Sequence, residues 1–158
     1  MDSYLDKIMA TKADAVAAAE CKVSLSQLKS VCLDMPPAKP FAASIMQRNG
    51  IIAEFKRQSP SKGLIHGNIS PAEVVPHYEA AGVSAVSVLT DEQFFGGSIA
   101  DVREAASVLT SIPVLRKEFI NSAYQVYEAR AAGASAILLI AAVLEPAQAA
   151  DLAGLASE

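Results

Sequence analysis

Ile51-Ile52-Ala53-Glu54-Phe55-Lys56-Arg57-Gln58-Ser59-Pro60-Ser61-Lys62-Gly63 is the stretch on which the reading of the chain turns. A β-prone run over residues 51–55 passes into two basic residues and then a Ser-Pro-Ser-Lys-Gly turn. Glu54 and Lys56 are two positions apart, so on a strand they project from one face with opposite charges. An ion pair at the end of an apolar run is costly to bury without a reason. The turn that follows offers backbone N–H groups, hydroxyls and an ammonium to an anion. The expectation is an anion-handling site at the carboxyl end of a β-strand.

Upstream of this strand, residues 3–20 carry Leu5, Ile8, Met9, Ala13, Val16 and Ala17 at helical spacing, with Ser3 as N-cap and Asp6 three residues on. A second short helix is expected over 24–33, ended by Met35-Pro36-Pro37. A third runs from Pro40 to about Gln47, before Asn49-Gly50. Residues 1–50 are therefore read as a helical extension packed on a main domain that occupies residues 51–158.

Downstream, strands and helices alternate. Ser70-Pro71-Ala72-Glu73 begins a helix with Ser as N-cap, Pro at its first position and Glu at its third. Gly82 ends that helix, and a strand follows over 85–89. A polar, Gly-rich loop over 90–98 leads to a helix from Ser98 to about Leu109. The third strand starts at 113–115 and ends in Arg116-Lys117-Glu118-Phe119. Asn121 is expected to cap a helix that Gly133 stops, residues 136–140 form a fourth strand, and Glu145-Pro146 opens the last helix. The stretch at residues 80–89 returns as an echo at 131–140, an offset of 51 residues or two βα units.

Four βα units with near-continuous apolar strands imply a parallel sheet covered by helices. A closed (β/α)8 barrel and a doubly wound open sheet both fit that description. No GxGxxG follows any strand, which removes support for a dinucleotide fold. Polar groups do recur at strand ends: Lys56, Thr90-Asp91 and Lys117. A barrel active site requires that placement, so the barrel is preferred.

Composition narrows the function classes. The 158 residues are 52% hydrophobic and 19% charged, with a net charge of −4. The pI near 5.2 argues against a dedicated nucleic-acid binder. The longest apolar run, residues 136–144, is far too short to span a membrane, and no secretory leader is evident. Cys21 and Cys32 are read as free thiols in a reducing, cytoplasmic setting. His66 and His77 have no ligand partners nearby and are not expected to be catalytic. Arg57 and Lys62 are read as solvated loop charges.

The opening stretch from Ile52 to Gly63 resembles the signature of the indole-3-glycerol phosphate synthase family. Three further segments resemble that family: 87–98 (Ser-Val-Leu-Thr-Asp-Glu-Gln-Phe-Phe-Gly-Gly-Ser), 113–120 (Pro-Val-Leu-Arg-Lys-Glu-Phe-Ile) and 136–144. Tyr4-Leu5-Asp6-Lys7-Ile8 is similar to the family's N-terminus. The resemblance implies a metal-free, cofactor-free barrel lyase of tryptophan biosynthesis. Such an enzyme closes 1-(2-carboxyphenylamino)-1-deoxyribulose 5-phosphate to indole-3-glycerol phosphate with loss of carbon dioxide and water. It further implies Lys117 as general acid, Lys56 on an anionic group of the substrate, and Glu54 holding the lysines and balancing their charge. Ser59 is implied as a substrate hydrogen-bonding residue, and Phe95 and Phe119 as aromatics packing on the anthranilate ring. The other readings are a non-catalytic half-barrel assembly module and another phosphate-binding barrel such as phosphoribosylanthranilate isomerase.

Barrels of this type run to about 250 residues, so only the first half is expected here. The resemblance places a second carboxylate and the main phosphate anchor on strands beyond the fourth. The isolated chain is accordingly expected to be inactive, with strand edges open to self-association or to pairing with a C-terminal half-barrel.

Overall fold

The computed structural model describes residues 4–158, and the Ser3 cap with its Asp6 partner lies outside the described residues. The chain divides into two compact units. One gathers residues 1–35, 119–131 and 139–158, and the other residues 36–118 and 132–138. Residues 36–50 thus group with the sheet.

The first unit is helical: α1 (Tyr4–Lys22), α2 (Leu25–Leu33), α7 (Ala123–Ala131) and α8 (Pro146–Ser157). Ser24 caps α2 in a capping box with Gln27, whose side chain accepts from the Ser24 amide at 2.8 Å. α2 and α7 pack together, burying Leu28, Tyr124 and Val126. The Tyr124 hydroxyl donates to the Val23 carbonyl at 3.0 Å, and the Lys29 ammonium lies 5.2 Å from the centre of the Tyr127 ring. The cap of α7 differs from expectation by one residue. The Gln125 amide reaches Ser122 Oγ at 3.4 Å, and the Asn121 amide donates to Gln125 Oε1 instead.

The second unit contains a parallel sheet of β1 (Ile52–Phe55), β4 (Ala85–Leu89), β5 (Val114–Lys117) and β6 (Ala136–Ile137), in that spatial order. Sequential parallel strands are what successive βα units of a barrel produce. β2 (Gln58–Ser59) and β3 (Gly63–Leu64) form a small antiparallel hairpin in the loop after β1. α3 (Phe41–Gln47), α4 (Pro71–Ala80), α5 (Glu92–Phe95) and α6 (Ile99–Val108) complete the unit. α4 packs on α6, with Val75, Val102 and Ala105 fully buried. Every residue of β4 is buried, in keeping with its mostly small and β-branched sequence.

One loop and one strand depart from the sequence reading. The fourth strand, expected over 136–140, is confined to Ala136–Ile137, the two residues that pair with Leu115 and Arg116 of β5. The loop after β4 contains the short α5, capped by Asp91 Oδ1 accepting from the Phe94 amide at 2.7 Å. It closes with Gly96 at φ +63, followed by Gly97, where a Cβ would run into the Leu89 carbonyl.

Candidate active site

The register of the sheet brings residues distant in sequence onto one face. Glu54 stands beside Ser87, Ser87 beside Leu115, and Leu89 beside Lys117. With a period of two, Glu54, Ser87, Leu89, Leu115 and Lys117 share a face, at its carboxyl end.

There the Glu54 carboxylate joins two lysines. Lys56 Nζ lies 2.9 Å from Glu54 Oε1, and Lys117 Nζ lies 3.2 Å from Oε2. The Ser87 hydroxyl donates to the same Oε2 at 3.3 Å. Each carboxylate oxygen thus has its own ammonium, and the arrangement carries one net positive charge. All three side chains keep about a third of their surface exposed (Glu54 30%, Lys56 36%, Lys117 37%), so a solute can reach them. Burial by itself would raise the Glu54 carboxyl, but hydrogen bonds and charge from Lys56 and Lys117 outweigh it and hold it below its ordinary value. Such a group can bind an anion through either ammonium and transfer a proton from the lysine that the anion leaves free.

The other sequence-predicted site residues are described by their own contacts. Ser59 sits in β2, where its hydroxyl accepts from the Lys62 amide at 3.2 Å; the turn that suggested an anion site is partly closed on itself. Its hydroxyl proton remains able to donate. Phe95 is the last residue of α5 and is half-buried. Phe119 belongs to the helical unit, where its carbonyl accepts from Gln125 Nε2 at 3.0 Å. His66 and His77 are exposed. Among the described residues no group of three or more His, Cys, Asp or Glu side chains could hold a metal ion. No described helix is long and apolar enough to cross a membrane.

Arg57 corrects the sequence reading most clearly. Expected as a solvated charge, it is half-buried and clamps Asp101 in the first turn of α6 with two bonds of 2.7 and 2.8 Å. Its remaining donors reach the carbonyls of Ile69 at 3.0 Å and Gly96 at 3.2 Å, and it lies over the Phe55 ring at 5.1 Å. The Asp101 carboxylate raises its already high pKa further. Arg57 therefore anchors the loop after β1 to the loop after β4, one residue beyond Lys56. Ser87 was also missed at the sequence level. A lone hydroxyl inside Ala-Val-Ser-Val-Leu was its signal, since a polar group in a buried strand needs a partner.

Comparison with known proteins accords with this architecture. A family model described as Indole-3-glycerol phosphate synthase matches residues 5–158. A protein of that name from Desulfosudis oleivorans is 46% identical over 160 residues, covering 98% of this chain and 60% of the relative. Another from Bacteroides thetaiotaomicron is 44% identical, covering 100% of this chain and 61% of the relative. A third, from Neisseria meningitidis serogroup B, is 46% identical, covering 94% and 58% respectively. The chain spans about 60% of the length of the curated relatives it matches.

Proposed function

The chain belongs to the indole-3-glycerol phosphate synthase family, and from that premise we propose that the full-length protein is a carboxy-lyase of tryptophan biosynthesis. It closes 1-(2-carboxyphenylamino)-1-deoxyribulose 5-phosphate into indole-3-glycerol phosphate. The observation that supports this most directly is the convergence of Lys56 and Lys117, from the ends of β1 and β5, on Glu54.

The chemistry asks for what these groups can supply. The aryl carbon bearing the carboxylate attacks the ketone carbon, and a C–C bond forms while the carbonyl π pair moves to oxygen. Lys117 donates a proton to that oxygen as charge develops on it. Lys56 pairs with the substrate carboxylate and holds the ring in line for attack. Carbon dioxide then leaves with its bond pair returning to the ring. The new hydroxyl gains a proton and departs as water, while a base takes a proton from the adjoining methylene carbon and that C–H pair becomes the C=C bond of the indole. Glu54 keeps the two ammonium groups apart and oriented between turnovers. Ser59 supplies a hydrogen bond to the substrate, and Phe95 packs on its aromatic ring. β1 and β6 each have one neighbour in the sheet, and their outer edges take further barrel strands, or those of a second copy.

The test is ring closure by the full-length protein, followed by the appearance of indole absorbance and fluorescence. Lys117→Ala is expected to lower kcat by about a hundredfold or more. A kcat close to that of the parent would remove Lys117 from the role of acid. Turnover of phosphoribosylanthranilate in its place would replace the proposed reaction altogether.

A further inference from the structure

The face of β5 turned away from Glu54 carries a second polar group. Side chains alternate across a strand, so Arg116 and Glu118 project opposite to Lys117. Both are buried, at 4% and 5% exposure, and so is Thr90 at 6%, just beyond the end of β4. The Thr90 hydroxyl donates to Glu118 Oε2 at 2.8 Å and accepts from Arg116 Nε at 3.2 Å. The Thr90 amide donates to the Lys117 carbonyl at 3.2 Å. One residue thus holds three consecutive positions of the neighbouring strand, the middle one through its backbone and the flanking two through its side chain.

Two charged side chains buried on a sheet face that also carries Val86, Val88 and Val114 are expensive in desolvation. Apolar residues of similar size would fill the same volume more cheaply. What the polar group adds is direction: hydrogen bonds admit a narrow range of geometries where apolar contacts admit many. We propose that Thr90, Arg116 and Glu118 are positioning residues that clamp the end of β5 and thereby aim the Lys117 ammonium at the Glu54 side of the sheet. The proposal rests on the reading of Lys117 as general acid. None of the three touches substrate; they act through the Cα–Cβ direction of Lys117. A displacement of the acid of about 1 Å is enough to cost up to about a hundredfold in rate.

Thr90→Val keeps the shape of the side chain and removes the hydroxyl, whereas Thr90→Ser keeps the hydroxyl. In the full-length protein Thr90→Val is expected to lower kcat by about tenfold or more. KM should change by less than about twofold, because Lys56 and the other binding groups are untouched, and Thr90→Ser should restore most of kcat. A purely structural role would lower the melting temperature yet leave kcat per folded molecule at the parent value. A second readout does not require turnover. Lysines are dimethylated with 13C, and the Lys117 resonance is assigned by its loss in Lys117→Arg. It should move toward the exposed-lysine position in Thr90→Val and stay at the parent position in Thr90→Ser. Should Thr90→Val fail to fold, Thr90→Ala, which removes the same hydroxyl from a smaller side chain, is read in the same two ways with the same direction expected. A parent-like kcat and an unmoved Lys117 resonance in the hydroxyl-free variant would overturn the proposal, as would equal losses in the Val and Ser variants. If the parent protein does not close the ring at all, the proposed reaction fails, and the resonance alone decides the clamp.

Discussion

Glu79, near the end of α4, closes the turn that delivers the chain into β5, and its contribution should be readable as a pH-dependent stability. Its carboxylate accepts from the amides of Thr110 (3.1 Å), Ser111 (2.6 Å) and Ile112 (3.2 Å), and from the hydroxyls of Thr110 and Ser111. Burial alone would raise its pKa, but the hydrogen bonds from Ser111, Thr110 and Ile112 outweigh it and bring it from 4.5 down to about 2. The folded pKa is the depressed one. The stabilisation is therefore fully present above pH 4.5 and is lost as the pH falls through 4.5 toward 2. At about 1.4 kcal/mol per pH unit the ceiling is about 3.4 kcal/mol. Glu79 is only half-buried and water screens it, so about 1–2 kcal/mol is the realistic share. Glu79→Gln keeps one acceptor oxygen and removes the charge. Urea denaturation of parent and variant across this range should give a gap of about 1–2 kcal/mol at neutral pH that closes toward pH 2. A gap that stays constant with pH, or one below about 0.5 kcal/mol at neutral pH, would refute the argument that charge-assisted capping by Glu79 holds this turn.

Other perturbations follow from the same geometry. Asp101→Asn should cost about 2–4 kcal/mol, because it leaves a half-buried guanidinium without its carboxylate. Urea unfolding measures the cost, and a loss below about 1 kcal/mol would reduce the clamp to an ordinary surface pair. Gly97→Ala should destabilise by about 1–3 kcal/mol or shift the loop after β4, since the new methyl meets the Leu89 carbonyl. An unchanged melting temperature would show that this loop yields freely.

Much of the fold was legible because its signals are local. Ser24 and Ser98 cap the helices that follow them, and Gly82 and Gly133 take the positive φ values that end two others. These features depend on neighbours within a turn. The fourth strand was overread because apolar content in 138–140 says nothing about whether a partner strand continues beside it. Asn121 and Ser122 are adjacent polar residues, and which one capped α7 depended on where Gln125 turned its side chain.

The candidate site divides along the same line. Glu54 and Lys56 share a face by strand period alone, and their pairing could be written down from a two-residue spacing. That Lys117 completes the group depended on β5 lying two strands from β1, with β4 between them in a register that sets Glu54 by Ser87 and Leu89 by Lys117. Arg57 carries the same charge as Lys56 and stands next to it, yet it pairs with Asp101, 44 residues away, while Lys56 pairs with Glu54. The sequence by itself determined the order of the four parallel strands and which residues could carry charge at their ends, since strand period and helix caps are properties of a few consecutive residues. Only the tertiary structure decided which charges meet, because a salt bridge or a buried hydroxyl is set by register between strands that the chain reaches only after dozens of residues.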